Sequence, residues 1–203
     1  MKHGKRVSTL ALCTGLLVAA ASSAVAQDKK AAPAPPDQKA AMEAMQKAAT
    51  PGEAHKKLDA MVGTWDTKVS MWMDPTQPPQ VSTGTSENKW VLGNRYVEMQ
   101  YQGTFMGQPF SGIGYQGYDN TTKKYIGTWM DTASTAMMNS TGTMTGNVMK
   151  TSSMMADPMT GKMEKLTTTL TVKDKDHHVM EMFGAGPDGK QVKMMEIEYT
   201  RKK

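Results

Sequence analysis

The chain has 203 residues, 24 Lys plus Arg against 19 Asp plus Glu, and a formal net charge of +5. Three of the basic residues, Lys2, Lys5 and Arg6, precede the apolar run 7–20 and Ala24-Val25-Ala26, the order of a secretory signal cleaved near Ala26. The expected remainder, 177 residues of net charge +2, leaves room for one domain with a core and excludes nucleic acid as a default partner.

Cys13 is the only cysteine and falls inside the leader. The expected mature chain therefore excludes disulfides, Cys-ligated zinc and thiol catalysis. Past residue 26 no stretch approaches the roughly 20 apolar residues of a membrane-spanning helix. Together these features predict a periplasmic or secreted protein held together by packing alone. Residues 27–50 are read as an Ala/Pro-rich tether in which 37–49, DQKAAMEAMQKAA, forms a marginal helix with little to bury. Thr50-Pro51-Gly52-Glu53 reads as a capping box, with Thr50 as N-cap. The short helix it opens puts Ala54, Leu58, Met61 and Val62 on one face, and Gly63 stops it.

From residue 64 the texture changes to short Thr-, Val-, Met- and aromatic-rich segments separated by Gly, Asn, Asp and Pro. Ten strands are predicted, near 64–73, 81–92, 95–103, 109–118, 124–130, 134–143, 147–155, 163–173, 177–184 and 191–200. No helical pattern interrupts them, so a parallel βαβ sheet is excluded. Short connections favour a meander that closes on itself. The predicted fold is all-β: an up-and-down antiparallel barrel of about ten strands over residues 51–203, with a short N-terminal helix.

Several patterns could carry chemistry. Twenty methionines follow Met1, against four Leu, three Ile and three Phe in the mature chain. Thioethers bind Cu(I), and MxM spacing occurs at 71/73 and 180/182. Met is also the flexible filler a core uses when Leu and Ile are scarce, and its spread over nearly every strand favours packing. His177-His178 beside Asp174 and Asp176 offers ligand types in a turn, yet neighbours on a strand point to opposite faces. A polar hairpin turn is the simpler reading, so no metal site is predicted. No serine occupies a Gly-x-Ser-x-Gly turn. Gly112 to Gly117 spells GxGxxG between strands, where a dinucleotide fingerprint has no helix to open. No catalytic constellation emerges.

Gly63-Thr64-Trp65, a Gly-x-Trp entering the first strand after a short helix, resembles the calycin barrels: lipocalins, fatty-acid-binding proteins and nitrobindins. More closely, the chain is similar to a bacterial family known only as domain of unknown function 1579. The resemblance rests on that triplet with the 71–75 run MWMDP, the 92–96 run LGNRY and GIGYQGYDN at 112–120. GTWMD at 127–131, HHVMEM at 177–182 and PDGK at 187–190 complete it, within the 147-residue stretch from His55 to Arg201. Asn94 departs from the pattern, where a second Gly is expected; Asn tolerates positive φ, so the turn should survive.

The resemblance implies a calycin-like barrel and brings no established activity. It also implies that Arg201 crosses Trp65 and, with Gly63, closes the barrel. The nitrobindin likeness suggests a late histidine as haem ligand, but His178 is read as lying before the penultimate strand, outside any apolar pocket. Since ten strands enclose more space than side chains easily fill, a small apolar or amphiphilic ligand leads the functional expectations. Arg95, Tyr115 and Trp129 are the candidate contacts. The alternatives are a methionine-based Cu(I) or oxidant-scavenging protein, and a structural envelope protein.

Overall fold

Alternation of apolar and polar residues along each segment after Gly63 sets the architecture. In β1 (Gly63–Met71) Trp65, Thr67 and Val69 are buried while Asp66 and Lys68 are exposed. A computed structural model describes residues 37–186 and 189–203; the leader, the first part of the tether and Pro187-Asp188 lie outside the described residues. The other strands are β2 (Gln80–Val91), β3 (Tyr96–Phe105), β4 (Gln108–Asp119), β5 (Lys124–Asp131), β6 (Met138–Thr145), β7 (Val148–Ala156), β8 (Met163–Val172), β9 (His177–Ala185) and β10 (Gln191–Arg201). Each pairs antiparallel with its sequence neighbours, and β1 pairs with β10, so the ten strands form a closed up-and-down barrel. Closure leaves no sheet edge.

One end of the barrel is plugged. The helical turn α2 (Glu53–Lys56) runs into the 3₁₀ segment Lys57–Met61. Leu58 and Met61 pack there on Val97, Tyr125 and Met149. Asn88 Nδ2 and Trp65 Nε1 both donate to the Met61 carbonyl, at 2.8 and 2.9 Å, tying the plug to β2 and β1. The opposite end, reached by Met71, Phe105, Asp131 and Ala156, is the mouth.

The helix starts differ from the capping box read in the sequence. Thr50 is extended and closes α1 (Gln38–Ala49), its hydroxyl donating back to the Gln46 carbonyl at 2.7 Å. The cap of α2 is Gly52, whose N–H is accepted by His55 Nδ1 at 3.1 Å. Glu53 turns instead to Lys56 at 2.7 Å. His55 decides between the two frames because its ring is buried edge-on against Tyr118. α1 has an Asp37 cap and buries none of its residues; Asn120 Nδ2 donates to the Lys47 and Ala48 carbonyls of its last turn and to that of Thr50.

β6 begins four residues later than predicted, at Met138. Asp131 accepts from the Ala133 N–H and Ser134 from that of Ala136, and these local bonds hold 132–136 as a loop. Asn94 takes φ 62°, the left-handed conformation the turn requires.

Candidate functional site

Strand register assigns the lumen. Starting from buried Trp65, paired residues carry the inward face through Arg201, Tyr199 and Ile197 of β10 and through His178, Met180 and Met182 of β9. It continues through Thr168 and Leu170 of β8, Thr151 and Ser153 of β7, and Ser140 of β6. Trp129, Gln116, Met99 and Tyr101 lead it back to Ser86 of β2.

Three levels result. At the plug the lumen is filled by the Leu58 cluster. Above it the wall carries buried neutral polar groups, Asn88 and Gln116 beside the plug and Thr67, Ser86 and Thr151 further along. Nearest the mouth lies an apolar cluster of Val69, Tyr101 and Ile197 with Phe110, Trp129, Met180 and Met195 packed on it. Those last four side chains stay only half-buried. Trp129 lies flat over Gly112 and Gly114, where a Cβ on Gly114 would meet the ring at 2.8 Å. Its Nε1 donates to Asp131 at 2.8 Å.

The plug-side wall holds Trp65, which is fully buried. The Arg201 guanidinium carbon sits 4.1 Å from the Trp65 ring centroid. Arg201 also donates to the Val62 carbonyl at 2.8 Å and the Lys175 carbonyl at 2.9 Å. Gly63 has φ 135°, and Arg201 Nη1 occupies the space of the missing Cβ, so no other residue fits both the backbone and the guanidinium.

The sequence reading of His178 is corrected here. It lies within β9, as the predicted strand 177–184 has it and against the reading of it as lying before that strand, and its inward ring is 2% exposed. The ring stacks on Tyr199 at 4.3 Å and meets Trp65 edge-on at 4.2 Å. Burial, with the Arg201 charge second, pulls its pKa down to about 4, so the imidazole is neutral at pH 7. Burial likewise pushes the Tyr199 phenol well above its usual range. His178 Nδ1 and Thr67 Oγ1 are both buried without a hydrogen-bond partner. A haem-ligating imidazole needs one nitrogen free toward the cofactor and the other held by an acceptor. His178 has aromatic rings against it, and its Nδ1 has no such acceptor.

The three candidate contacts separate. Trp129 faces the lumen. Tyr115 points to the outer face, donating to Glu98 at 2.9 Å, because it falls between inward Gly114 and Gln116. Arg95 is exposed in the β2–β3 turn at the plugged end, donating to the Leu92 and Gly93 carbonyls at 3.0 and 3.4 Å. His177 is exposed and pairs with Asp174 at 2.9 Å, on the face opposite His178. Among the described residues no group of three His, Cys, Asp or Glu converges as a metal site. Met71 faces in, whereas Met73 lies beyond the strand end and is 66% exposed, so that MxM pair is split. Met180 and Met182 share the lumen face.

A ten-stranded closed meander with a helical plug at one end is a calycin-like barrel. The chain belongs to the family described as "Protein of unknown function (DUF1579)", matched over residues 50–201. No curated protein matches it. The crystal structure of Rv2717c from M. tuberculosis superposes with a TM-score of 0.54 at 16% identity, covering 76% of this chain and all of that one. That likeness is one of fold alone. A redesigned β-barrel covers 77% of this chain and 96% of its own at 17% identity, with a TM-score of 0.38.

Proposed function

We propose that the barrel takes a small apolar or amphiphilic molecule into its lumen through the mouth. The observation that carries this reading is the half-buried apolar wall of Phe110, Trp129, Met180 and Met195 toward the end opposite the plug. The rim supports it. Of eleven exposed large hydrophobics among the described residues, eight lie at the mouth end: Met73, Val81, Met106, Met137, Met154, Met155, Met159 and Met163. Flexible thioethers at an entrance adapt to varied apolar shapes.

The uncharged dye N-phenyl-1-naphthylamine should bind saturably, with quenching of tryptophan fluorescence. Trp129→Ala should weaken it about two- to tenfold, the worth of roughly 0.5–1.5 kcal/mol for an aromatic contact. Arg95→Ala and Tyr115→Phe should change nothing, since both side chains lie outside the lumen. Absence of saturable binding by wild type would sink the carrier reading and leave a structural envelope role. The same reading places the protein in the periplasm or outside the cell, on the order of regions in residues 1–26. Intact mass of the exported product should begin at Gln27; a product retaining Cys13 would refute this.

A second reading rests on thioethers. Met71 opposes Met195, and Met195 opposes Met182, giving a row across β1, β10 and β9 near the mouth. Directly opposed residues hold their Cβ atoms about 4.5–5.5 Å apart, close enough for three soft donors to meet one Cu(I). Cu(I) should then be taken from a weak chelator at one per chain, and Met182→Leu with Met195→Leu should abolish uptake. Unsaturable uptake indifferent to that pair would reduce these residues to packing.

A further inference from the structure

The charges of the lumen carry the functional reading one step further, to the class of ligand. We propose that the lumen selects an uncharged amphiphile with a hydrogen-bonding head over a carboxylate of the same chain length. This rests on the lumen-binding reading above.

Among the described residues the only cation at an inward strand position is Arg201, and it is already engaged. It covers Trp65, donates to two backbone carbonyls and lies 3.4 Å from Asp176. Arg95 lies outside the barrel. The strand lysines fall at outward positions of the register; Lys68 and Lys89, for example, pair with Glu198 and Glu98 on the outer surface. A carboxylate drawn into this lumen would lose its hydration and meet no free positive charge, which is the costly way to bury an ion.

The mouth adds to the bias. Asp131 faces Gly112 on the inward register, and Glu164 shares the inward face of Leu166 two residues on. Both are half-buried, and both repel an entering anion.

What the lumen does offer is neutral hydrogen bonding. Buried Thr67, Ser86, Asn88, Gln116 and Thr151 line it, Thr67 two residues along β1 from Val69 of the apolar wall. One of them is unspent: Thr67 is 4% exposed, and its Oγ1 has no partner. The Ser86 hydroxyl, in contrast, is satisfied by Asn88 at 2.7 Å. Thr67 pairs directly with Tyr199 of β10 and with Gly84 of β2, and the Tyr101 ring fills the space above Gly84. A hydroxyl or amide head that parts the Tyr101 and Tyr199 rings beneath the Met and aromatic wall would meet the Thr67 hydroxyl. An acyl or alkyl chain behind it lies along Trp129, Met180 and Met195.

Displacement of N-phenyl-1-naphthylamine from the intact mature protein by decanol, decanoate and decyltrimethylammonium separates the cases. Decanol should displace the dye at a concentration about tenfold or more below that of decanoate, the anion bearing the uncompensated desolvation. Thr67→Val, which removes an unpartnered buried hydroxyl and so should not harm folding, should weaken decanol about three- to tenfold more than it weakens the dye. Thr67→Ser should restore it. Decanoate binding as tightly as decanol, decyltrimethylammonium binding more tightly than either, or indifference of decanol to Thr67→Val would overturn the proposal with the lumen-binding reading intact. Failure of the dye itself to bind would overturn both.

Discussion

Trp65→Ala should lower unfolding free energy by about 3–5 kcal/mol, the range for deleting a buried aromatic side chain. In a domain of this size that is a fall in Tm of roughly 6–20 °C. The magnitude follows from how many parts of the closed end meet on one ring. Trp65 is fully buried, holds the last carbonyl of the plug through Nε1, and lies against both His178 and Arg201. The Met61 carbonyl keeps its second donor, Asn88 Nδ2, when Trp65 is lost. The cost is therefore chiefly the cavity and the uncovered guanidinium, not an orphaned acceptor. Trp65→Phe should recover most of the packing and forfeit the hydrogen bond, about 1 kcal/mol. Arg201→Ala should cost about 1–2 kcal/mol, the scale of a partly desolvated cation–π contact. Urea titrations of the three variants check the order. A loss below about 1 kcal/mol in Trp65→Ala would show that the plug and β1 are not joined through this ring.

The barrel was legible because its cause is local. Strand-period alternation is written residue by residue in Trp65-Asp66-Thr67-Lys68-Val69, and turn residues punctuate it at nearly every connection. Closure followed from short loops alone, because consecutive antiparallel strands with no crossover have few other ways to hide their edges. What escaped the sequence depended on parity or on competition between equal local patterns. Tyr115 and Trp129 look alike as aromatics in Gly-rich strands, but a single step of register sends one outward and the other inward. Thr50…Glu53 and Gly52…His55 offer overlapping capping frames, and only the contact of His55 with Tyr118 chooses between them. Arg95 gave no sign that the carbonyls of its own turn would absorb its guanidinium. His178 was misplaced for a related reason. Polar neighbours at 174–177 suggested a solvated turn, whereas the first inward position of β9 falls on His178. The signal that could have found it is the pairing of the last two strands: if Arg201 faces Trp65, then Tyr199 faces inward as well, and so does the residue opposite Tyr199.

That same residue makes the barrel acid-labile within a defined window. The unfolded chain carries His178 at its ordinary pKa of 6.5, while burial in the folded barrel lowers it to about 4. Between those values the unfolded state binds a proton that the native state refuses, so stability falls as pH drops below 6.5 and this share is lost by about pH 4. The difference amounts to about 3 kcal/mol. His55 contributes in the same direction, since burial lowers its pKa too, with the Arg95 charge a smaller cause. Carboxylates held below their usual range, such as Asp157 by the Thr160 and Met159 N–H groups, give up their share only at lower pH. Urea midpoints at pH 7, 5.5 and 4.5 should therefore decline steadily in the wild type. His178→Phe, which keeps an aromatic ring between Trp65 and Tyr199 and has no proton to bind, should lose most of that decline and retain only the part due to His55. Phe also removes the unpartnered Nδ1, so its stability at pH 7 should match or exceed the wild type. Equal acid sensitivity in the two proteins would mean that His178 reaches a proton without unfolding, and that the closed end of the barrel admits water beside Trp65.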